Sequence, residues 1–173
     1  MTADNTLEPS SSTDPYLWLE EVTGEAALSW VKAQNAHTRS TLQLHPDFAE
    51  LRQDLCSILD SNARIPDVIK RGDFYYNFWR DKTNPAGIWR RTTLAEYRKL
   101  EPKWELLLDL DALNETEKEN WVWHGSTCLR PAYTQCLISL SRGGADADVT
   151  REFNLETKGW VKGGFSARKP RAA

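Results

Sequence analysis

Apolar residues recur at three- and four-residue steps in the first third of the chain and at alternate positions after it. Phe48, Leu51, Leu55, Ile58 and Leu59 predict the clearest helix, over HPDFAELRQDLCSILDS (45–61), with Pro46 at its first helical position. Upstream, DPYLWLEEV (14–22) predicts a short helical turn, with Asp14 as cap and Pro15 leading. Thr23 is placed to cap a longer helix through GEAALSWVKAQNAHTRSTLQL. Its stripe of Leu28, Val31, Asn35, Thr38 and Leu42 is mixed, which suggests packing against another surface. Residues 62–73 contain Asn62, Pro66 and Gly72 and read as an extended connector.

After Gly72 the period becomes two. In FYYNFWRD (74–81), Phe74, Tyr76 and Phe78 face one way and Tyr75, Asn77 and Trp79 the other. KTNPAG is a loop, and IWRRTTL (88–94) returns as a strand. Further strands are expected at WELLLDLDAL (104–113), WVWHGSTCL (121–129), TQCLISLSR (134–142) and DVTREFNLE (148–156). Gly143-Gly144 turns the chain between the last two. No helical pattern separates these strands. The fold class is therefore α+β: N-terminal helices, then antiparallel meanders in two groups of about three strands, a sandwich or an incomplete β-propeller. Trp79, Trp89, Trp104, Trp121 and Trp123 all fall inside strand patterns. Rings that alternate with aliphatics in strands are core before they are ligand platforms. FYYNFWRD is accordingly expected to be covered on both faces.

Charge narrows the function classes. The 173 residues carry 22 basic and 25 acidic side chains, interspersed, for a net charge of -3. A nucleic-acid reader needs a basic stripe, and the only local basic cluster is Arg168, Lys169 and Arg171 at the tail. No run approaches the roughly 18 apolar residues of a membrane span. The opening MTADNTLEPSSSTDP has neither the cationic start nor the apolar run of a secretory leader, and residues 1–13 read as a disordered lead. Cys56, Cys128 and Cys136 show no CxxC spacing and cannot all pair. Reduced thiols in a cytoplasm are expected.

Candidate chemistry is sparse. Gly164-Phe165-Ser166-Ala167-Arg168 misses the Gly-x-Ser-x-Gly elbow, since Arg168 stands where the second glycine belongs. His37, His45 and His124 make no HxH or HExxH spacing. His124 with Cys128 could supply two metal ligands, but a structural role is favoured. Asp109 and Asp111 share a strand face and could do acid/base work, yet they read better as an exposed strand end before NETEKEN. Asp146 and Asp148 form a DxD-like pair that turn chemistry explains equally well. No catalytic, cofactor or metal residue is assigned.

One resemblance organises these elements. Asp14-Pro15-Tyr16, Trp18-Leu19-Glu20 and Gln34-Asn35 resemble the opening of prolyl oligopeptidase family enzymes. DFYYNFWRDKTNPAGIWRRTTLAEY resembles the first propeller strands of a bacterial branch, and ENWVWHG and LISLSRGGADADVTREFNLETKGWV continue the likeness over about residues 14–165. The resemblance implies a helical segment over 14–72 that packs on an α/β-hydrolase domain, about two propeller blades over 73–165, and an irregular basic tail over 166–173. It implies a parent activity: cytoplasmic hydrolysis of short peptides after proline by a Ser-His-Asp triad. Nothing here matches the motif around any triad member, so neither His124 nor Ser166 is promoted to that role. The expected partners are an oligopeptide substrate of the complete enzyme, the hydrolase domain, and other copies meeting at open sheet edges. Two rival readings stay open: a non-catalytic interaction module, and an aromatic-rich carbohydrate or peptide binder.

Overall fold

The computed structural model describes residues 14–168. The expected polar lead over 1–13 and the tail from Lys169 lie outside the described residues. The chain divides into two compact units between Leu55 and Cys56, a line that falls inside the second helix.

The first unit is helical. A single 3-10 turn, Leu17–Glu20, follows Asp14, whose carboxylate accepts from the Tyr16 amide at 2.8 Å. Helix α1 is Glu25–Leu42; Gly24 rather than Thr23 sits at its N-cap, without a side-chain cap. Trp18 and Trp30 meet edge to face at 6.1 Å, which joins the turn to α1. Helix α2 is Phe48–Leu59 and begins two residues after Pro46. Its apolar stripe is at the predicted spacing, but none of its residues is buried.

The second unit holds two antiparallel sheets. The first has the order β1–β2–β3–β4, with β1 Ile69–Arg71, β2 Phe74–Trp79, β3 Ile88–Thr93 and β4 Glu105–Asp109. The second runs β5–β6–β7, with β5 Trp121–Cys128, β6 Gln135–Arg142 and β7 Asp148–Asn154. Two short strands, β8 Gly159–Trp160 and β9 Ser166–Arg168, both pair with β7. The first sheet therefore has four strands and the second five, in place of the three read from sequence for each. β1 was hidden in the connector, and β9 forms where the irregular tail was expected to start.

Two helices also interrupt the strands, contrary to the sequence reading. Helix α3, Leu94–Tyr97, is capped by Thr93, whose hydroxyl accepts from the Glu96 amide. Helix α4, Leu110–Glu117, takes over the second half of the stretch read as a strand at 104–113. Asp109 decides that switch: its side chain accepts from the Ala112 amide at 2.9 Å and caps α4. The leucine run continues into the helix, so hydropathy alone does not show the boundary.

The two sheets share one core. Tyr76, Trp89, Leu108, Ile138, Leu140 and Phe153 are buried in a single cluster, with Phe78 and Trp123 packed against it. Phe78 stacks on Trp123 at 4.9 Å, and Trp89 lies 5.4 Å from Trp123 and 6.0 Å from Phe153. Gly87 makes room for this stack. It holds φ at +108°, and a Cβ there would stand 2.4 Å from the Phe78 ring.

Candidate functional site

FYYNFWRD lies at the centre of the first sheet, and both its faces are covered. Tyr76 on one face and Asn77 and Trp79 on the other are buried. On the core side, Tyr76 packs on Trp89 and its hydroxyl accepts from Arg91 at 3.3 Å. On the other side, Asn77 donates to the Asp67 carbonyl at 2.7 Å and accepts from Arg90 at 2.9 Å. The connector thus lies over this face and satisfies its polar groups.

That outer face forms a cleft of about 730 Å³ walled by Arg64, Trp79, Arg90, Tyr97 and Trp104. Arg90 lies 4.6 Å from the Trp79 ring and 4.3 Å from the Trp104 ring, and Arg64 also covers Trp79. Burial brings the Arg90 guanidinium down to about 10, with the charge of Asp81 opposing that shift. Asp81 accepts from the Trp79 indole at 2.9 Å and from the amides of Thr83 and Asn84, which fixes the turn after β2. The rings are occupied as packing surfaces, which disfavours the open stacking platform of a sugar binder.

A second cluster has the connectivity of a hydrolytic triad. Ser141 Oγ lies 3.0 Å from His124 Nε2, and His124 Nδ1 lies 2.6 Å from Asp148 Oδ1. Register brings them together: His124 sits at the irregular step of β5 between Trp123 and Gly125, Ser141 on β6 and Asp148 opposite it on β7. The contact to Asp148 is close but lacks the alignment of a hydrogen bond. Ser141 has 0% of its surface exposed, so its hydroxyl cannot reach a scissile carbonyl. The cluster ties three adjacent strands together. No sequence spacing revealed it, because its members come from different strands. His124 lies inside β5.

The remaining candidates separate. Asp109 caps α4, while Asp111 accepts from the amides of Ala86 and Gly87 at 3.1 and 3.3 Å. The pair therefore braces turns, and neither is merely an exposed strand end. Asp146 lies in the β6–β7 connection. Ser166 lies on β9 opposite Arg151. His37 lies on α1 and His45 before α2. Among the described residues no group of three His, Cys, Asp or Glu side chains could hold a metal ion. His124 and Cys128 do not converge as ligands, since Cys128 is bonded to Cys136. That bond corrects the expectation of three reduced thiols. Antiparallel pairing of β5 with β6 sets Cys128 directly opposite Cys136, a register that linear spacing does not disclose. Cys56 is exposed and unbridged.

With no accessible nucleophile in either cluster, the comparison with known proteins bears on architecture. The sequence model of the prolyl oligopeptidase N-terminal beta-propeller domain matches residues 2–172. The chain belongs to the prolyl oligopeptidase family. It is 42% identical over 155 residues to an uncharacterized peptidase of Sinorhizobium fredii, covering 89% of this chain and 21% of that protein. An uncharacterized peptidase of Rickettsia prowazekii is 38% identical over 150 residues, covering 86% and 20%. Among solved structures, a post-proline cleaving enzyme from Rickettsia typhi superposes with a TM-score of 0.80 at 35% identity, covering 86% of this chain and 22% of that one. The chain thus spans about one fifth of the length of the family relatives it matches. The matched domain is a β-propeller domain, and the two sheets described here are not closed into a ring. Among the described residues no helix is long and apolar enough to cross a membrane.

Proposed function

We propose that this chain serves as the N-terminal portion of a prolyl oligopeptidase-type serine peptidase, inactive without a hydrolase domain. In this reading α1 and α2 pack on that domain, and the two sheets form the first two blades of a propeller that admits short peptides. The parent reaction is cytoplasmic hydrolysis after proline, performed by a Ser-His-Asp triad carried elsewhere. The observation that carries the reading is the state of α2. Leu51, Leu55, Ile58 and Leu59 form one stripe and are 52–66% exposed. A helix with such a face is built to be covered by another surface.

The test is complementation. The purified chain is mixed with the C-terminal four fifths of the Sinorhizobium fredii relative, and release of a chromophore from a prolyl anilide peptide is followed. The reading predicts no cleavage by the chain alone and cleavage by the mixture. Cleavage by the chain alone, or a mixture that neither associates nor cleaves, contradicts it.

A further inference from the structure

Arg71, the last residue of β1, reaches from the first sheet to the second. Its guanidinium donates to Ser126 Oγ at 3.0 Å, to the Ser126 carbonyl at 2.7 Å and to Cys128 Sγ at 2.9 Å. The rings of Tyr76 and Trp89 lie alongside it at 5.2 and 5.9 Å. Among the described residues no carboxylate pairs with it. Burial, the largest effect, draws its pKa down, against the smaller influence of Tyr76 and Tyr133. A desolvated cation without a counter-charge favours a negative charge beside it, and the nearest group that can carry one is the sulfur of Cys128.

Cys128 is bonded to Cys136 across the ladder, and the two differ in access. Cys136 is buried, with 2% of its surface exposed, whereas Cys128 is half-buried at the strand end. Beside them opens a cavity of about 400 Å³ walled by Thr127, Leu129, Leu137, Glu152 and Phe165. We propose that Cys128 and Cys136 form a reversible thiol–disulfide site for small thiols and disulfides, with Cys128 as the reacting sulfur and Arg71 as the residue that holds its thiolate. In the oxidising direction the Cys128 thiolate attacks an external disulfide RSSR. The S–S bond of that disulfide breaks, a mixed disulfide forms on Cys128, and one RS⁻ leaves. Cys136 then gives its proton to solvent and attacks the Cys128 sulfur, expelling the second RS⁻. Two electrons pass from the dithiol to the external disulfide. Reduction runs through the same mixed disulfide in reverse. Because Arg71 joins β1 to the reacting strand, the redox state of the pair acts on the contact between the two sheets.

The test uses the full chain with Cys56→Ser, so that the exposed third thiol does not interfere. The protein is equilibrated with reduced and oxidised glutathione, acid-quenched and alkylated, and the sites are read by mass spectrometry. The expected result is an internal disulfide that forms and reverses while circular dichroism remains native. Adding Cys136→Ser should trap glutathione on Cys128, and adding Cys128→Ser should leave Cys136 unmodified in the native protein. Alkylation of Cys128 in the Cys136→Ser background should slow by roughly tenfold with Arg71→Gln at neutral pH and recover largely with Arg71→Lys, which separates charge from packing. The proposal is overturned if the disulfide exchanges only on unfolding, if glutathione is trapped on Cys136 instead, or if both Arg71 variants fold and leave the Cys128 rate unchanged.

Discussion

The helices and the sheets of this chain use apolar residues differently. In the sheets, Ile138, Leu140 and Phe153 retain at most 1% of their surface, because each meander has the other to cover it. In α2, every member of the apolar stripe from Leu51 to Leu59 is more than half exposed. Both regions obey the period that their sequence announces. The sheets satisfy theirs internally, while the stripe on α2 stays uncovered among the described residues. The difference teaches that amphipathic spacing reports a demand for burial, and only the tertiary partner says whether the demand is met in the same molecule.

Substitutions sharpen that contrast. Phe153→Ala should cost about 3–5 kcal/mol, since the ring packs on Trp89 and Trp160 at the centre of the core. Urea unfolding followed by tryptophan fluorescence checks it, and a loss under 1 kcal/mol would break the claim of a self-sufficient sheet core. Asp111→Ala should cost about 1–3 kcal/mol, because two amides of the β2–β3 turn lose a charged acceptor. The same titration reads it.

A smaller effect lies between the sheets. Arg91 donates to Glu105 Oε2 at 2.6 Å and Lys158 meets Oε1 at 2.8 Å. The Arg91 hydrogen bond holds the Glu105 carboxyl below the usual range, burial opposes it, and Lys158 adds to it. A carboxyl depressed in the folded state stabilises fully above its unfolded value, near roughly pH 4–5. That contribution fades as pH falls through the lower folded value. Glu105→Gln should therefore cost about 0.5–1 kcal/mol at pH 7 and flatten the acid limb of the stability curve. An unchanged acid limb in thermal melts from pH 7 to 3 would remove Glu105 from the account. The smallest effect belongs to α2: Leu51→Gln with Leu55→Gln should change the stability of the chain by less than about 0.5 kcal/mol. The same pair should abolish complementation by the hydrolase portion, so a large loss of stability in the isolated chain would erase the contrast.

Much of the fold was legible in the residues. The aromatic alternation at the start of FYYNFWRD forms β2, Phe74–Trp79, and its two covered faces follow from rings on both sides. The meander order of β2, β3, β5, β6 and β7 likewise followed from alternation and turn residues. β1 was hidden because Ile69, Lys70 and Arg71 are too few to show a period. α4 was hidden because its leading Leu110 extends a leucine run, and the deciding event is a cap made by Asp109. The Ser141–His124–Asp148 cluster and the Cys128–Cys136 bond were hidden because register between strands creates them. The burial that disqualifies Ser141 as a nucleophile is also a property of the packed sheet.

Native-state hydrogen exchange on the isolated chain tests the central contrast most directly. The account predicts amides of β2, β3, β5, β6 and β7 protected up to the global stability, and those of α1 and α2 exchanging far faster through local opening. Equal protection of the helices and the sheets, lost in one cooperative transition, would contradict it.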